Sequence, residues 1–158
     1  MSAVRQGSVD EAGLTALAAA LAPALHDGGV IHLRGDLGAG KTTFARALLR
    51  ALGVGQRIKS PTYSLIESYA LAERALHHLD LYRIADPGEL EWLGLPDLAD
   101  PTALLLIEWP ERGGAALPPP DLIVQLAHAG SRRDFSLSAA SARGARWLEQ
   151  GPDRAGQT

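Results

Sequence analysis

Eight residues restrict this chain more than any other feature: Gly35-Asp36-Leu37-Gly38-Ala39-Gly40-Lys41-Thr42, a glycine, four residues, then Gly-Lys-Thr. The run Val30 to Leu33 ahead of it is short and apolar, and Thr42 to Leu52 behind it repeats apolar residues at helical period up to Gly53. A strand, a glycine-rich turn and a helix in that order point successive backbone N–H groups into one concavity at the positive end of the helix dipole. Such a turn wraps the phosphates of a nucleoside triphosphate. Lys41 would contact the β- and γ-phosphates, and the Thr42 hydroxyl would ligate Mg²⁺. An ordinary strand-to-helix turn would need neither the Lys-Thr pair nor its register.

The rest of the chain alternates elements around that unit. Ser8 or Asp10 can cap a helix with Leu14, Leu17, Ala18 and Leu21 at helical spacing, ended or kinked by Pro23. Tyr63 to Tyr69 and Ala75 to Leu81 read as two strands that the stretch between them could close into a hairpin. Asp86-Pro87 starts a short helix through Glu89, Leu90 and Trp92, stopped by Gly94. Ala103 to Ile107 is continuously apolar, as for a strand buried on both faces of a sheet. The Gly- and Pro-rich connection Gly113 to Pro120 leads to two strands, Asp121 to Ala127 and Arg133 to Ala139, joined across Gly130-Ser131. A helix from Ser141 to Glu149 closes the pattern. The expectation is one domain over residues 1–150, a three-layer α/β P-loop NTPase domain with a mixed, mostly parallel central sheet, and a flexible tail over 151–158.

A phosphate-binding loop needs a second acid on a neighbouring strand end to hold Mg²⁺ or its water shell. Glu108 closes the apolar run at the carboxyl end of its strand, where ligands of α/β sheets bind; a solvated strand terminus is the plainer alternative. Asp80 follows His77-His78-Leu79, and could instead cap a turn or pair with Arg83. If the strand runs on, Arg83 projects from the opposite face to Asp80. His77 and His78 face opposite ways on a strand, and with no cysteine and scattered His26, His32 and His128 a zinc site is not expected. Ser60-Pro61-Thr62 lies where a hydroxyl could sense the γ-phosphate, and reads equally as a turn with Pro second. Trp92 and Trp109 read as core or interface anchors before base-stacking platforms.

Composition narrows the function classes. At 158 residues and 46% hydrophobic content the chain can bury one core. A net charge of −3, from 15 Lys and Arg against 18 Asp and Glu, gives no basic field that holds nucleic acid by phosphate neutralisation, so a role with RNA would be indirect. The absence of cysteine excludes a disulfide scaffold and a thiol nucleophile. Leu14 to Leu25 has the look of a secretory apolar segment, but it is shorter than the ~20 residues a bilayer takes, and Asp10 and Glu11 sit where a basic flank is wanted. A cytoplasmic protein with no membrane role is expected.

Four motifs in order, Gly35-Asp-Leu-Gly-Ala-Gly-Lys-Thr-Thr43, Lys59-Ser-Pro-Thr-Tyr-Ser-Leu65, His78-Leu-Asp-Leu-Tyr-Arg83 and Ile107-Glu-Trp-Pro110, resemble the TsaE family, also called YjeE, from about Asp10 to Trp147. The resemblance implies an ATPase of bacterial tRNA threonylcarbamoyladenosine modification that works with TsaB and TsaD. TsaD transfers the threonylcarbamoyl group, and tRNA is met only through the complex. It further implies that Leu37, Gly38, Ala39, Gly40, Lys41, Thr42 and Thr43 hold the phosphates of ATP. Thr42 and Glu108 would bind Mg²⁺, Asp80 would support metal and water, and Lys41, Asp80 and Glu108 would carry catalysis. Ser60 to Thr62 would form a switch-like loop and Trp109 would lie beside the nucleotide, with further contacts near Glu11 and Arg132 or Arg133. Ser64 departs from the more usual Thr and keeps the hydroxyl; the Pro118 to Pro120 run is a local variation.

Two other classes compete. A small-molecule kinase would need an arginine-rich lid over the transferred phosphoryl group, and no arginine cluster after Glu108 resembles one. A nucleotide-gated binding module would use hydrolysis only as a timer. The Asn-Lys-x-Asp pattern that reads guanine is missing, which favours ATP.

Overall fold

The computed structural model describes residues 4–55, 57–61, 64–92, 94 and 100–151. Tyr63, Thr62 and the tail expected beyond Gly151 lie outside them. Seven strands, β1 (Val4–Val9), β2 (Gly29–Arg34), β3 (Ile66–Ala70), β4 (Ala75–Asp80), β5 (Leu104–Glu108), β6 (Leu122–Ala129) and β7 (Arg132–Ala139), form one sheet in the order β1-β7-β6-β2-β5-β4-β3. The central strands β6, β2, β5 and β4 run parallel, β7 and β3 join them antiparallel, and β1 pairs antiparallel with β7 at the edge. The sheet is therefore mixed around a parallel centre, as the sequence predicts.

The alternation of side chains along the buried strands makes the layers. Leu104 and Leu106 of β5 pack with Ile31, Leu33 and Val124 under the helices α1 (Glu11–Leu21), α2 (Lys41–Ala51) and α4 (Ala142–Gln150). Leu105 and Ile107 face the other way, with Leu79, Leu81, Ile84 and Leu117, under the short helix α3 (Glu89–Trp92) and the turns that follow β5. No helix among the described residues is long and apolar enough to cross a membrane.

Local chemistry sets the ends of these elements. Asp10, not Ser8, caps α1 by accepting from Gly13 N at 2.8 Å, and Pro23 falls in a 3-10 turn, Ala22–Ala24, just past the helix. Ser141 caps α4 from Gly144 N and donates to Asp121 Oδ1 at 2.7 Å, while Asp121 Oδ2 accepts from Val30 N at 2.9 Å. One carboxylate thus ties α4 to the central strand. Gly144 is required there, because a Cβ would sit 1.8 Å from the Asp121 carbonyl oxygen.

Three expectations are corrected. The first strand, β1, was not anticipated: Val-Arg-Gln-Gly-Ser-Val is half exposed and takes its structure from pairing with β7. The strand expected from Tyr63 starts at Ile66, since Leu65 adopts a left-handed φ of 69°. The strand expected to reach Leu81 ends at Asp80, whose Oδ1 accepts from Tyr82 N at 3.0 Å and opens a turn.

Candidate functional site

Parallel register brings the carboxyl ends of β2, β4 and β5 level, with Asp80 opposite Glu108 and Glu108 opposite Leu33. The loop after β2 returns over these ends and enters α2 at Lys41. Two glycines make this path possible. Gly35 has φ 147° and a Cβ there would meet the Leu126 carbonyl oxygen at 2.4 Å; Gly40, at φ 109°, is the N-cap of α2 and offers no side-chain cap to the first-turn N–H groups. Lys41, Thr42 and Thr43 of that first turn line the cleft, where an anion site at a helix start would lie.

The charged groups beneath the loop are almost wholly shielded: Lys41 is 4% exposed, Glu108 2% and Asp80 8%. Lys41 Nζ donates to the Gly35 carbonyl and sits 3.5 Å from the centroid of the Trp109 ring. Burial pulls the Lys41 pKa down from its ordinary value, opposed by the nearby acids Glu108, Glu111, Asp80 and Asp36. Burial pushes the Asp80 carboxyl up, against the lowering effect of its bond from Tyr82 N; Glu108 pushes it further up. Thr42 Oγ1, on the first turn of α2, lies 3.0 Å from Glu108 Oε1 and 3.2 Å from Oε2. On the other side His78 Nε2 lies 2.6 Å from Oε2.

A cleft of about 420 Å³ opens over these groups. Of the residues expected from sequence, Glu11, Leu37, Gly38, Gly40, Lys41, Thr42, Thr43, Asp80, Glu108, Trp109 and Arg133 line it. Ala39 belongs to the same loop with its side chain buried in the core. Arg132 does not line the cleft: it turns to Ser8, with Nη2 donating to the Ser8 carbonyl at 2.7 Å. Successive residues of a strand point to opposite faces, so only one of the two arginines can face the cleft. Ser60 is exposed and is not part of the cleft wall, and Thr62 lies outside the described residues.

The direction of Arg83, which on sequence could point toward the site or, if the strand ran on, away from it, is decided by the end of β4. Because β4 stops at Asp80 and turns, Arg83 comes back to the cleft wall beside Tyr82. Leu14 and Ser131 also line the cleft unanticipated, and His128 Nε2 reaches the Leu37 carbonyl of the loop at 3.2 Å. Tyr82 had a signal in its place two residues after Asp80. His78, Leu14 and His128 had none, since their partners are far away in sequence.

The donor set suits a magnesium nucleotide. A shielded ammonium, a helix start without a cap and glycines at positive φ form an anion cradle. The Thr42 hydroxyl and Glu108 carboxylate supply the hard oxygen ligands that Mg²⁺ prefers, few in number because the ion keeps waters and phosphate oxygens in its shell.

Strand order, loop and acid pair define an α/β domain of the P-loop kind. A solved structure with the same architecture, that of Bacillus subtilis YdiB, superimposes with a TM-score of 0.77 at 29% identity over 94% of each chain. The family model for "Threonylcarbamoyl adenosine biosynthesis protein TsaE" matches residues 8–135, and the chain belongs to the TsaE family. It is 44% identical over 110 residues, 70% of each chain, to the tRNA threonylcarbamoyladenosine biosynthesis protein TsaE of Haemophilus influenzae. It is 36% identical over 117 residues, 73% of each chain, to the protein of that name from Bacillus subtilis.

Proposed function

We propose that the chain binds ATP with Mg²⁺ and hydrolyses it in tRNA threonylcarbamoyladenosine modification. It acts in the cytoplasm with TsaB and TsaD and meets tRNA only through that assembly. The observation that carries this reading is the shielded Lys41 set beside the Thr42–Glu108 pair at the floor of the cleft. A Mg²⁺ ion held there would supply positive charge to offset the charge that develops on the phosphates. The loop N–H groups and Lys41 hold the phosphates, Thr42 and Glu108 hold the metal, and Asp80 orients water in its shell. Arg83 and Arg133 add positive charge to the wall.

Lys41 is engaged with Gly35 and Trp109, so each turnover has to draw its ammonium away from them and onto the nucleotide. That favours slow hydrolysis by the protein alone and faster hydrolysis when a partner stabilises the rearranged site. Steady-state ATP turnover measured alone, with TsaB and TsaD, and with a panel of small hydroxyl acceptors tests this. The expected result is slow turnover raised by the two proteins. Turnover near the enzyme median of ~10 per second alone, with no response to the proteins, overturns the assembly-dependent mechanism, and stimulation by a small acceptor instead points to a kinase.

A further inference from the structure

We propose that His78 is a positioning residue for the metal site: it fixes the Glu108 carboxylate so that the carboxylate and the Thr42 hydroxyl are presented together to Mg²⁺. This rests on the Mg²⁺-nucleotide reading above and adds a residue to it.

His78 and Glu108 are on neighbouring parallel strands, with His78 opposite Leu106 and Asp80 opposite Glu108. Residues two apart on a strand share a face, so His78, Asp80, Leu106 and Glu108 all point to the side of the sheet that carries α2. His78 lies one pleat deeper than the acids. It is 1% exposed, and Nε2 meets Oε2 of Glu108 at 2.6 Å. A carboxylate only accepts, so Nε2 carries the proton.

Among the described residues the rest of the ring has no such contact: Nδ1 is buried with no hydrogen-bond partner. Leaving Nδ1 stranded carries a cost, since burying an unpartnered acceptor is unfavourable. A leucine would fill the space without that cost. What the imidazole supplies and a leucine does not is the one bond to Glu108. That bond engages Oε2 from the side away from the cleft, while Thr42 makes its shorter contact with Oε1. A glutamate with three rotatable bonds is thereby held in one orientation before any ligand arrives, as outer hydrogen bonds do for metal-binding carboxylates elsewhere. His77 has no share in this; it faces the other way and lies 2.7 Å from Ser68 Oγ across the β3–β4 pair.

The test uses the full chain and three variants: His78→Leu, which fills the site with no donor; His78→Gln, which places an amide N–H near the Nε2 position; and Glu108→Ala. Binding of a fluorescent ADP analogue is measured without metal and across a Mg²⁺ titration. For His78→Leu the expected result is metal-free affinity within about twofold of wild type and a Mg²⁺ requirement raised about 10- to 100-fold, the usual effect of removing an outer-shell partner. His78→Gln should recover most of that loss. If His78→Leu titrates Mg²⁺ like wild type while Glu108→Ala does not, the positioning role is wrong and the metal site stands. If metal-free binding falls as far as metal-dependent binding in His78→Leu, or Gln fails to rescue, His78 is a packing residue only. If Glu108→Ala also titrates Mg²⁺ normally, the metal reading fails and takes the proposal with it.

Discussion

Lys41→Met should separate binding from folding. Methionine keeps the length of the buried stem and removes the charge that the loop holds beneath the cleft. A hydrogen bond to a charged group contributes about 1.5–3 kcal/mol, so nucleotide affinity should fall about 10- to 150-fold. In the ligand-free protein the same change removes a ring contact worth about 0.5–2 kcal/mol and the bond to the Gly35 carbonyl. Against this, burial disfavours the charged form of Lys41, and the neutral side chain escapes that cost. The two effects oppose each other, so the melting temperature without nucleotide should move by no more than about 4 °C, the equivalent of ~1 kcal/mol in a domain of this size. Calorimetric titration with Mg²⁺-ATP and thermal melts on the same preparation check both halves. Affinity within twofold of wild type would mean that Lys41 does not touch phosphate. A loss of affinity that simply follows a melting temperature lowered by ~10 °C or more would mean that the ammonium props up the fold instead.

Gly144→Ala should destabilise the chain by at least ~3 kcal/mol, seen as a melting temperature lower by about 6–12 °C, because the added Cβ meets a carbonyl that is itself fixed by Ala140 N at 2.9 Å. An unchanged melting temperature refutes it. Acid should weaken the fold through His32 and His77, whose pKa values burial holds below the ordinary 6.5. Above 6.5 both are neutral folded and unfolded; as the pH falls below it the unfolded chain takes up more protons, so the urea midpoint should drop. The slope should flatten in the double variant His32→Asn, His77→Asn, and an equal slope in that variant counts against the assignment.

The parts of the site that were legible in the sequence are those whose chemistry is local. The loop from Gly35 to Thr42 declares its turn, its charge and its following helix within eight consecutive residues. Glu108 stands out because a carboxylate ends an apolar run, and Asp80 because it closes a second strand. What was not legible depends on pairing across the chain. Arg132 and Arg133 cannot be told apart by type or spacing; the register that sets Val9 opposite Arg133, with Arg132 reaching back to Ser8, decides which one faces the cleft. Arg83 was left between two directions because the end of β4 is set by a side-chain bond, from Tyr82 N to Asp80, that strand periodicity does not predict. His78 lies 30 residues from the glutamate it holds. β1 is invisible in isolation, since its six residues gain order only against β7.

The central position of β2 also imposes a timetable on synthesis. The strand that launches the phosphate loop is among the first third of the chain to be made, yet its neighbours on both sides come late, and the Asp121 carboxylate that secures Val30 lies 91 residues further on. At roughly 5–20 residues per second, a ribosome needs about 5–18 seconds to supply it. Until β5 is made β2 has no partner strand, and until β6 follows it keeps one open edge, a state open to aggregation and to chaperone capture. The cleft therefore cannot assemble from the nascent N-terminal half around its own loop; it closes only when β6 and β7 arrive, which makes its formation a late, whole-chain event with the slow kinetics of non-local parallel pairing.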